Sequence, residues 1–248
     1  MQLQQFFKQN PRIAVAFSGG VDSSYLLYAA KTAGCDVHAY FIKSEFQPQF
    51  ELDDATHIAK SLDVTITVAN LSVLDKPNVF ENPTDRCYHC KTVILNKLRE
   101  LSRLDGYTVL CDGSNADDDE TDRPGMRALV EQGVLSPLRD CGLGKAKIRE
   151  LSKQAGLPTF DKPAYACLAT RIPTGTTISR NYLEKIERAE NILFEMGFSD
   201  FRVRLIPPDT AKIQMHSGQW DKAAARRKDI SNALKADFIS IVLDLIER

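Results

Sequence analysis

Long apolar runs are missing from this chain. No stretch approaches the roughly 18 consecutive apolar residues that a membrane-spanning helix needs. The first residues, MQLQQFFKQNPR, also lack the basic segment and apolar run of a secretion signal. We therefore expect a cytoplasmic protein that has no membrane partner.

An excess of charge of one sign is also missing. The chain has 32 basic and 33 acidic residues, for a net charge of -1. A large non-specific nucleic-acid surface needs a basic excess, so we expect a small substrate and no nucleic-acid partner. With 43% hydrophobic residues and 26% charged residues, the composition is that of a folded globular protein. A length of 248 residues fits a main domain and a smaller one.

Two familiar phosphate-binding signatures are absent near the N-terminus. No Gly-Lys-Ser/Thr follows the paired glycines Gly19 and Gly20, so the segment is not a Walker A loop. The Gly-x-Gly-x-x-Gly fingerprint of dinucleotide-binding domains is absent as well. Histidine is scarce, and His38, His57 and His216 occur singly, without metal-ligand spacing.

Strand and helix patterns alternate along the first two thirds of the chain. This alternation predicts a parallel sheet with right-handed crossovers and helices on both faces. We predict an α/β domain over residues 1–165 and a small α+β unit over residues 166–248. The predicted strands are 12–17, 36–42, 64–68, 108–111, 201–205, 211–215 and 238–243, and the predicted helices are 23–30, 52–62, 90–101, 145–155, 181–196 and 220–234.

The strongest motif is FSGGVDSS at residues 17–24, where a predicted strand turns into a helix. Glycines allow close approach to an anion, and the positive end of the following helix favours phosphate. A carboxylate among phosphates is repulsive unless a cation lies between them, so Asp22 predicts a Mg²⁺ ion. The phosphate-binding candidates are Ser18, Gly19, Gly20, Asp22, Ser23 and Ser24.

The segment SGGVDS at residues 18–23 resembles the PP-loop of N-type ATP pyrophosphatases. The resemblance implies cleavage of ATP between the α- and β-phosphates, with pyrophosphate held in the loop and AMP transferred to the substrate. The segment GSNADD at residues 113–118 resembles the second motif of that class, which lines the ATP site. Its candidate residues are Gly113 and Asn115, and Ser44 after the second predicted strand is a further candidate.

Within that class the chain resembles the LarE family of sulfur transferases, which builds the nickel-pincer nucleotide cofactor. The motifs are NPTDRCYHCK at 82–91, DRPG at 122–125 and PAYACLATRIP at 163–173. The resemblance implies adenylylation of a carboxylate of a pyridinium dicarboxylate mononucleotide, followed by attack of Cys167. One departure is Gln214, which stands where the family usually has Glu. We also expect a homo-oligomer.

Cys87 and Cys90 form a Cys-x-x-Cys pair before a predicted helix, a spacing that suits zinc, an iron–sulfur cluster or a redox dithiol. The resemblance leaves three interpretations open. Cys87, Cys90 and Cys167 hold a [4Fe-4S] cluster that passes on a sulfide, or Cys167 is itself the sulfur donor, or the pair binds zinc or no metal. The other thiols, Cys35, Cys111 and Cys141, are predicted to be buried and inert.

Four arginines are candidates for the phosphate of a nucleotide substrate, and Arg171 could instead lower the pKa of the Cys167 thiol. They are Arg86, Arg171, Arg202 and Arg204.

Three other functions compete with this prediction. A tRNA-thiolating enzyme would need a basic RNA-binding unit, which the net charge of -1 disfavours. An ammonia-dependent amide-forming synthetase would have no use for Cys167 and the cysteine pair. A nucleotide-binding regulator would not need the intact loop with Asp22.

Overall fold

The computed structural model describes residues 2–118 and 124–247, and the chain divides into two compact units. The first unit comprises Met1–Val73 and Asp85–Ala164, and the second comprises Leu74–Thr84 and Tyr165–Arg248. The short segment Leu74–Thr84 therefore groups with the C-terminal part of the chain, which the sequence patterns did not indicate.

A parallel sheet forms the centre of the first unit. Its strands are β1 (Arg12–Ala16), β2 (Asp36–Lys43), β3 (Ile66–Asn70) and β4 (Leu110–Cys111). The spatial order is β3-β2-β1-β4, and every neighbouring pair is parallel. Ile13 and Val15 of β1 are fully buried, as expected of a central strand covered on both faces. The predicted parallel α/β sheet is confirmed.

Helices cover both faces of this sheet. One face packs against residues of the first three helices and the last helix of the unit, among them Phe7, Leu27 and Ile148. The other face packs against Leu98 and Leu129. The helices up to residue 154, of which α4 belongs to the second unit, are α1 (Leu3–Gln9), α2 (Val21–Thr32), α3 (Gln49–Ser61), α4 (Pro77–Phe80), α5 (Arg86–Leu104), α6 (Pro124–Glu131), α7 (Pro137–Asp140) and α8 (Lys145–Gln154).

The second unit contains a three-stranded sheet and three further helices. Strands β5 (Arg202–Ile206) and β6 (Thr210–Gln214) are antiparallel, and β7 (Ser240–Leu243) lies parallel to β6. The helices are α9 (Arg180–Glu195), α10 (Trp220–Ala225) and α11 (Arg227–Leu234). The single helix predicted for residues 220–234 is wrong, because the backbone at Arg226 leaves the helical region (φ -96, ψ 13) and separates two short helices.

The segment Leu74–Thr84 is held to the second unit by hydrogen bonds. The Asn82 side chain donates to the Pro173 carbonyl at 2.8 Å, and the Ile178 amide donates to the Phe80 carbonyl at 2.7 Å. The residues from 161 to 175 contain no strand, and their only helical turn is the 3-10 turn Leu168–Arg171. Within the described parts of the chain, no helix is long and apolar enough to cross a membrane.

Candidate functional site

The loop between β1 and α2 has a backbone that requires glycine. Gly19 has a φ of +68°, and a Cβ there would lie 2.9 Å from the Cα of Ala55 in α3. Both the positive φ and the close approach exclude a side chain. Gly20 precedes α2 without any side-chain cap, so the positive end of a 12-residue helix is left to another acceptor. An anion fits this position.

Hydroxyl groups of the loop lie close together at the start of α2. Ser18 Oγ and Ser23 Oγ are 3.0 Å apart. The amide of Ser18 donates to Ser23 Oγ at 3.3 Å, and the amide of Gly20 donates to Ser18 Oγ at 3.4 Å. These amide bonds are long, so a phosphate oxygen can compete for the same donors.

The carboxylate of Asp22 is only half satisfied. Lys145 Nζ lies 2.6 Å from Asp22 Oδ2, while Oδ1 is buried and has no hydrogen-bond partner. A buried carboxylate oxygen without a donor is costly, and it is the type of ligand that Mg²⁺ prefers. The residue present therefore fits the predicted magnesium ion.

Two lysines at this loop were missed by the sequence analysis. Lys145 begins α8 and pairs with Asp22. Lys162 Nζ donates to the Gly19 carbonyl at 3.2 Å and to Asp54 Oδ2 at 2.6 Å. Each lysine is more than 100 residues from the loop in sequence, so no local motif connects them. Together they add positive charge where phosphates are expected.

The second motif packs directly against the loop. A Cβ on Gly113 would lie 2.8 Å from the backbone nitrogen of Ser23, so only glycine allows this approach. Asn115 is buried, and its Oδ1 accepts the amide of Asp117 at 2.9 Å. Asp117 in turn accepts the amide of Lys145 at 2.6 Å. The second motif therefore places the start of α8, and with it Lys145, beside Asp22.

A basic face occupies β5 and β6 of the second unit. Arg202 and Arg204 alternate with the buried residues Val203 and Leu205, and Arg204 pairs in register with Lys212. Arg202 Nε is buried without a hydrogen-bond partner. Burial and the positive charges of Arg171 and Arg204 lower the pKa of Arg202. An anion bound here would offset the repulsion between the arginines, and it would accept a hydrogen bond from Arg202 Nε.

Comparison with known proteins gives several matches. Residues 11–92 match the family described as the tRNA methyl transferase HUP domain. A pyridinium-3,5-bisthiocarboxylic acid mononucleotide synthase from Lactiplantibacillus plantarum is 31% identical over 210 residues, covering 84% of this chain and 76% of that protein. The chain belongs to the LarE family. An uncharacterized protein of Synechocystis sp. is 36% identical over 203 residues, covering 82% of this chain and 76% of that protein.

A more distant match is a tRNA-specific 2-thiouridylase of Clostridium botulinum, which is 27% identical over 208 residues and covers 70% of this chain and 59% of that protein. Membership in the LarE family confirms the predicted PP-loop fold and makes the chain an ATP-using sulfurtransferase that works with Mg²⁺.

Two further residues predicted to bind ATP, Ser24 and Ser44, are buried. Ser24 is fully buried in α2 and its Oγ has no hydrogen-bond partner, so its contact with phosphate stays a prediction. Ser44 is also buried, and its hydroxyl donates to Gln47 Oε1 at 2.6 Å while accepting the amide of Phe46 at 3.2 Å. Ser44 therefore stabilises the turn after β2, and its contact with ATP stays a prediction.

The Cys-x-x-Cys pair of this LarE-family chain lies in the first turns of α5. Arg86 Nη2 donates to the exposed Cys87 Sγ at 3.4 Å, and the guanidinium of Arg86 lies over the Phe46 ring at 5.7 Å. Arg86 is buried, and no described contact tests whether it binds the substrate phosphate. That contact stays a prediction. His89 bonds Asp85 at 3.2 Å, one helical turn away.

The three cysteines predicted to hold a cluster are not brought together as a metal site in the described residues. Among residues 2–118 and 124–247, no group of three or more His, Cys, Asp or Glu side chains is arranged to hold a metal ion. Cys87 and Cys90 belong to the first unit and Cys167 to the second. The iron–sulfur cluster therefore stays a prediction. Burial raises the pKa of Cys35 and of Cys111, as expected of inert thiols, whereas Cys141 is only partly buried.

Arg171 does not lie where a substrate phosphate can bind. Its guanidinium is fully buried and pairs with Glu190 through Nε to Oε1 at 2.8 Å and Nη2 to Oε2 at 3.2 Å. Burial alone would lower the pKa of Arg171, but its bonds to Glu190 outweigh this effect and raise it. The predicted phosphate contact of Arg171 is corrected to a buried ion pair.

Two further positions complete the comparison with the LarE motifs. Gln214 Oε1 accepts Arg204 Nε at 2.9 Å, so the amide at this position holds an arginine of the basic face. Asp122 and Arg123 of the DRPG motif lie outside the described residues, while Pro124 and Gly125 begin α6.

Proposed function

We propose that this chain adenylylates a substrate carboxylate with ATP and replaces the activated oxygen with sulfur. We further propose that the substrate is a pyridinium dicarboxylate mononucleotide, in keeping with the name of the Lactiplantibacillus plantarum relative. The observation that carries the first step is Asp22, whose buried Oδ1 has no partner beside an uncapped helix end. The observation that supports a nucleotide substrate is the basic face with its buried, unpaired Arg202 Nε.

The loop residues perform the ATP half of the reaction. The amides and hydroxyls at the start of α2 bind the β- and γ-phosphates, because these groups leave together as pyrophosphate. Asp22 would hold Mg²⁺, which supplies positive charge to the phosphate oxygens. Lys145 and Lys162 lie at the same loop and stabilise the charge that develops as the bond to the α-phosphate breaks. The substrate carboxylate attacks the α-phosphorus, giving an acyl adenylate and pyrophosphate.

Cys167 performs the sulfur half of the reaction in this proposal. Its thiolate attacks the acyl carbon, a C–S bond forms, and AMP leaves. Removal of the Cα proton of Cys167 then breaks its Cβ–S bond, and the electron pair stays on sulfur. The products are a thiocarboxylate and a dehydroalanine at position 167. The alternative that sulfide comes from a cluster uses the same adenylylation and differs only in the sulfur source.

The basic face orients the substrate. Arg202 and Arg204 bind the phosphate of the mononucleotide, and Lys212 adds charge from the neighbouring strand. Arg204 Nη1 also donates to the Thr170 carbonyl at 2.9 Å, three residues after Cys167. The phosphate site and the thiol are thus connected through a short stretch of backbone.

A second candidate is thiolation of a tRNA base, which the match to the tRNA-specific 2-thiouridylase favours. That match covers only 59% of the relative, and the net charge of this chain is -1. An RNA-binding surface would need more positive charge than this balance supplies.

The deciding experiment incubates the purified protein with ATP, Mg²⁺ and either the pyridinium dicarboxylate mononucleotide or unmodified tRNA. We expect AMP, pyrophosphate and a thiocarboxylate product from the mononucleotide alone. Formation of thiolated tRNA would establish the second candidate. ADP and phosphate as products would contradict the adenylylation step for both substrates. An amide product that forms only with added ammonia would identify a synthetase.

A further inference from the structure

We propose that Glu190 and Arg171 position the Cys167 thiol relative to the arginines of the basic face. The inference rests on the proposed function, in which Cys167 supplies sulfur and Arg202 and Arg204 bind the substrate phosphate. It concerns a buried ion pair in which the exposed fractions of the two side chains are 0% and 1%. Neither residue contacts the substrate in this proposal.

The ion pair reaches the backbone on both sides of Cys167. Arg171 Nη1 donates to the carbonyl of Ala166 at 2.9 Å and to Thr170 Oγ1 at 2.9 Å. Thr170 in turn donates to the carbonyl of Cys167 through its hydroxyl at 2.8 Å and its amide at 3.0 Å. Hydrogen bonds therefore run without interruption from Glu190 through Arg171 to the peptide groups that flank the thiol.

The same carboxylate also fixes the strand that carries the basic face. Glu190 Oε1 accepts the amide of Val203 at 2.9 Å, and Val203 lies between Arg202 and Arg204. The hydroxyl of Tyr165 donates to Glu190 Oε2. One buried side chain on α9 therefore sets the position of the Cys167 turn and of β5 together, and with them the distance between sulfur and bound phosphate.

The chemistry of the pair supports a positioning role. A buried ion pair of this kind is often no more stable than apolar residues of the same size, so stability alone does not require it. Its planar guanidinium makes hydrogen bonds in fixed directions, which an apolar pair cannot do. A displacement of about 1 Å between reacting groups can slow a reaction about a hundredfold.

The test compares Glu190→Gln and Arg171→Lys with the wild type in three measurements. These are AMP formation, sulfur transfer to the mononucleotide, and hydrogen exchange of the backbone amides of residues 165–172 in the ligand-free protein. Glu184→Gln is the matched control, because Glu184 is an exposed carboxylate on the same helix. Arg171→Lys keeps the charge but loses the planar fork, so it separates geometry from charge.

We expect both variants to exchange the amides of the Cys167 turn faster and to lose sulfur transfer by about a hundredfold while forming AMP at the wild-type rate. The control should match the wild type in all three measurements. An equal loss of AMP formation and sulfur transfer would overturn the inference, because it would indicate general destabilisation. Full sulfur transfer in Arg171→Lys would also overturn it. A wild-type protein that forms AMP without transferring sulfur would instead contradict the proposed function, whatever the exchange result.

Discussion

At the scale of single residues, the two carboxylate oxygens of Asp22 at the PP-loop have different surroundings. Lys145 occupies one carboxylate oxygen, and the other is buried without a partner. A helix-capping aspartate would instead accept backbone amides at its own helix end, and α2 shows no such side-chain cap. The geometry therefore separates a ligand-binding carboxylate from a structural one.

Replacing Asp22 with alanine should abolish AMP and pyrophosphate formation and leave the fold intact. The substitution removes the predicted Mg²⁺ ligand and a partly unsatisfied buried charge, so the cost in stability should be small. Asp53→Ala is the control, since Asp53 is an exposed carboxylate on α3. Product analysis with circular dichroism tests this prediction, and ATP cleavage by a folded Asp22→Ala protein would remove the central role of the loop.

Arg202 should matter for substrate binding and not for stability. Its Nε lacks an acceptor and its neighbours Arg171 and Arg204 repel it, so Arg202→Ala should not lower the free energy of unfolding appreciably. Loss of a charge-assisted hydrogen bond of about 1.5–3 kcal/mol should raise the KM for the mononucleotide about 10- to 100-fold.

The opposite pattern is expected for Arg188→Ala. Arg188 pairs with Asp237 at 2.7 Å and 3.0 Å, so its loss should reduce stability and leave KM unchanged. Thermal unfolding and steady-state kinetics of the two variants separate the roles. An unchanged KM in Arg202→Ala would contradict the assignment of the basic face.

At the scale of secondary-structure elements, the loop between β1 and α2 could be predicted because its signals are local. An apolar run, two glycines and a helical pattern are adjacent in sequence, and the structure places them as strand, turn and helix. Sequence patterns could not predict the roles of Lys145, Lys162 and Glu190, because each of them contacts a residue at least 13 positions away. Arg171 was assigned to a phosphate because its sequence neighbours do not reveal Glu190.

The contact between the second motif and α2 predicts the effect of Gly113→Ala. The new methyl group would lie 2.8 Å from the Ser23 nitrogen and 3.0 Å from its Cα, so backbone must move. We expect a loss of stability of about 1–3 kcal/mol and a higher KM for ATP, since Ser23 belongs to the loop. Gly218→Ala is the control, because nothing lies within 4 Å of its Cβ position. Unchanged stability and ATP affinity in Gly113→Ala would contradict this packing.

Two tyrosines of the first unit predict that the stability of the fold depends on pH in the alkaline range. Burial, together with the hydrogen bond from Tyr40 to Asp105 at 2.7 Å, raises the pKa of Tyr40. Burial and the bond to Asp36 at 2.8 Å likewise raise the pKa of Tyr107. Because the unfolded chain loses these protons first, stability is present below about pH 10 and falls as pH rises above it.

Tyr40→Phe should make the loss of stability at alkaline pH less steep. The variant loses one hydrogen bond, so its stability near neutral pH should fall by about 1 kcal/mol, while one titrating group with a raised pKa is removed. Denaturant unfolding between about pH 8 and pH 11 measures both effects. Tyr28→Phe serves as the control, and equal slopes for Tyr40→Phe and the wild type would contradict the prediction.

At the scale of the whole molecule, the proposed reaction divides its residues between the two units. The first unit contains the loop, Asp22 and the two lysines, and the second contains Cys167 and the basic face. The sequence predicted the parallel sheet of the first unit well, because alternating strands and helices leave few arrangements. It did not predict that Leu74–Thr84 belongs with the C-terminal unit, since that grouping depends on hydrogen bonds to residues about a hundred positions away, such as Asn82 to Pro173.

The last prediction concerns the fate of the polypeptide after one reaction. If Cys167 is the sulfur donor, each chain reacts once and loses about 34 Da, the mass of H₂S, as cysteine becomes dehydroalanine. Intact-mass measurement after reaction, with product quantified per polypeptide, tests this outcome. If a cluster supplies the sulfur, the mass is unchanged, and alanine at Cys87, Cys90 or Cys167 should lose iron and activity together.

Cys35→Ala is the control for both outcomes. Cys35 is a buried thiol in the first unit, so its loss should reduce stability and leave iron content and sulfur transfer unchanged. Full sulfur transfer by Cys167→Ala would contradict the donor and the cluster alike, because both require a thiolate at this position. Sulfur would then have to come from a donor that does not use Cys167, and the loop would supply only the activated carboxylate.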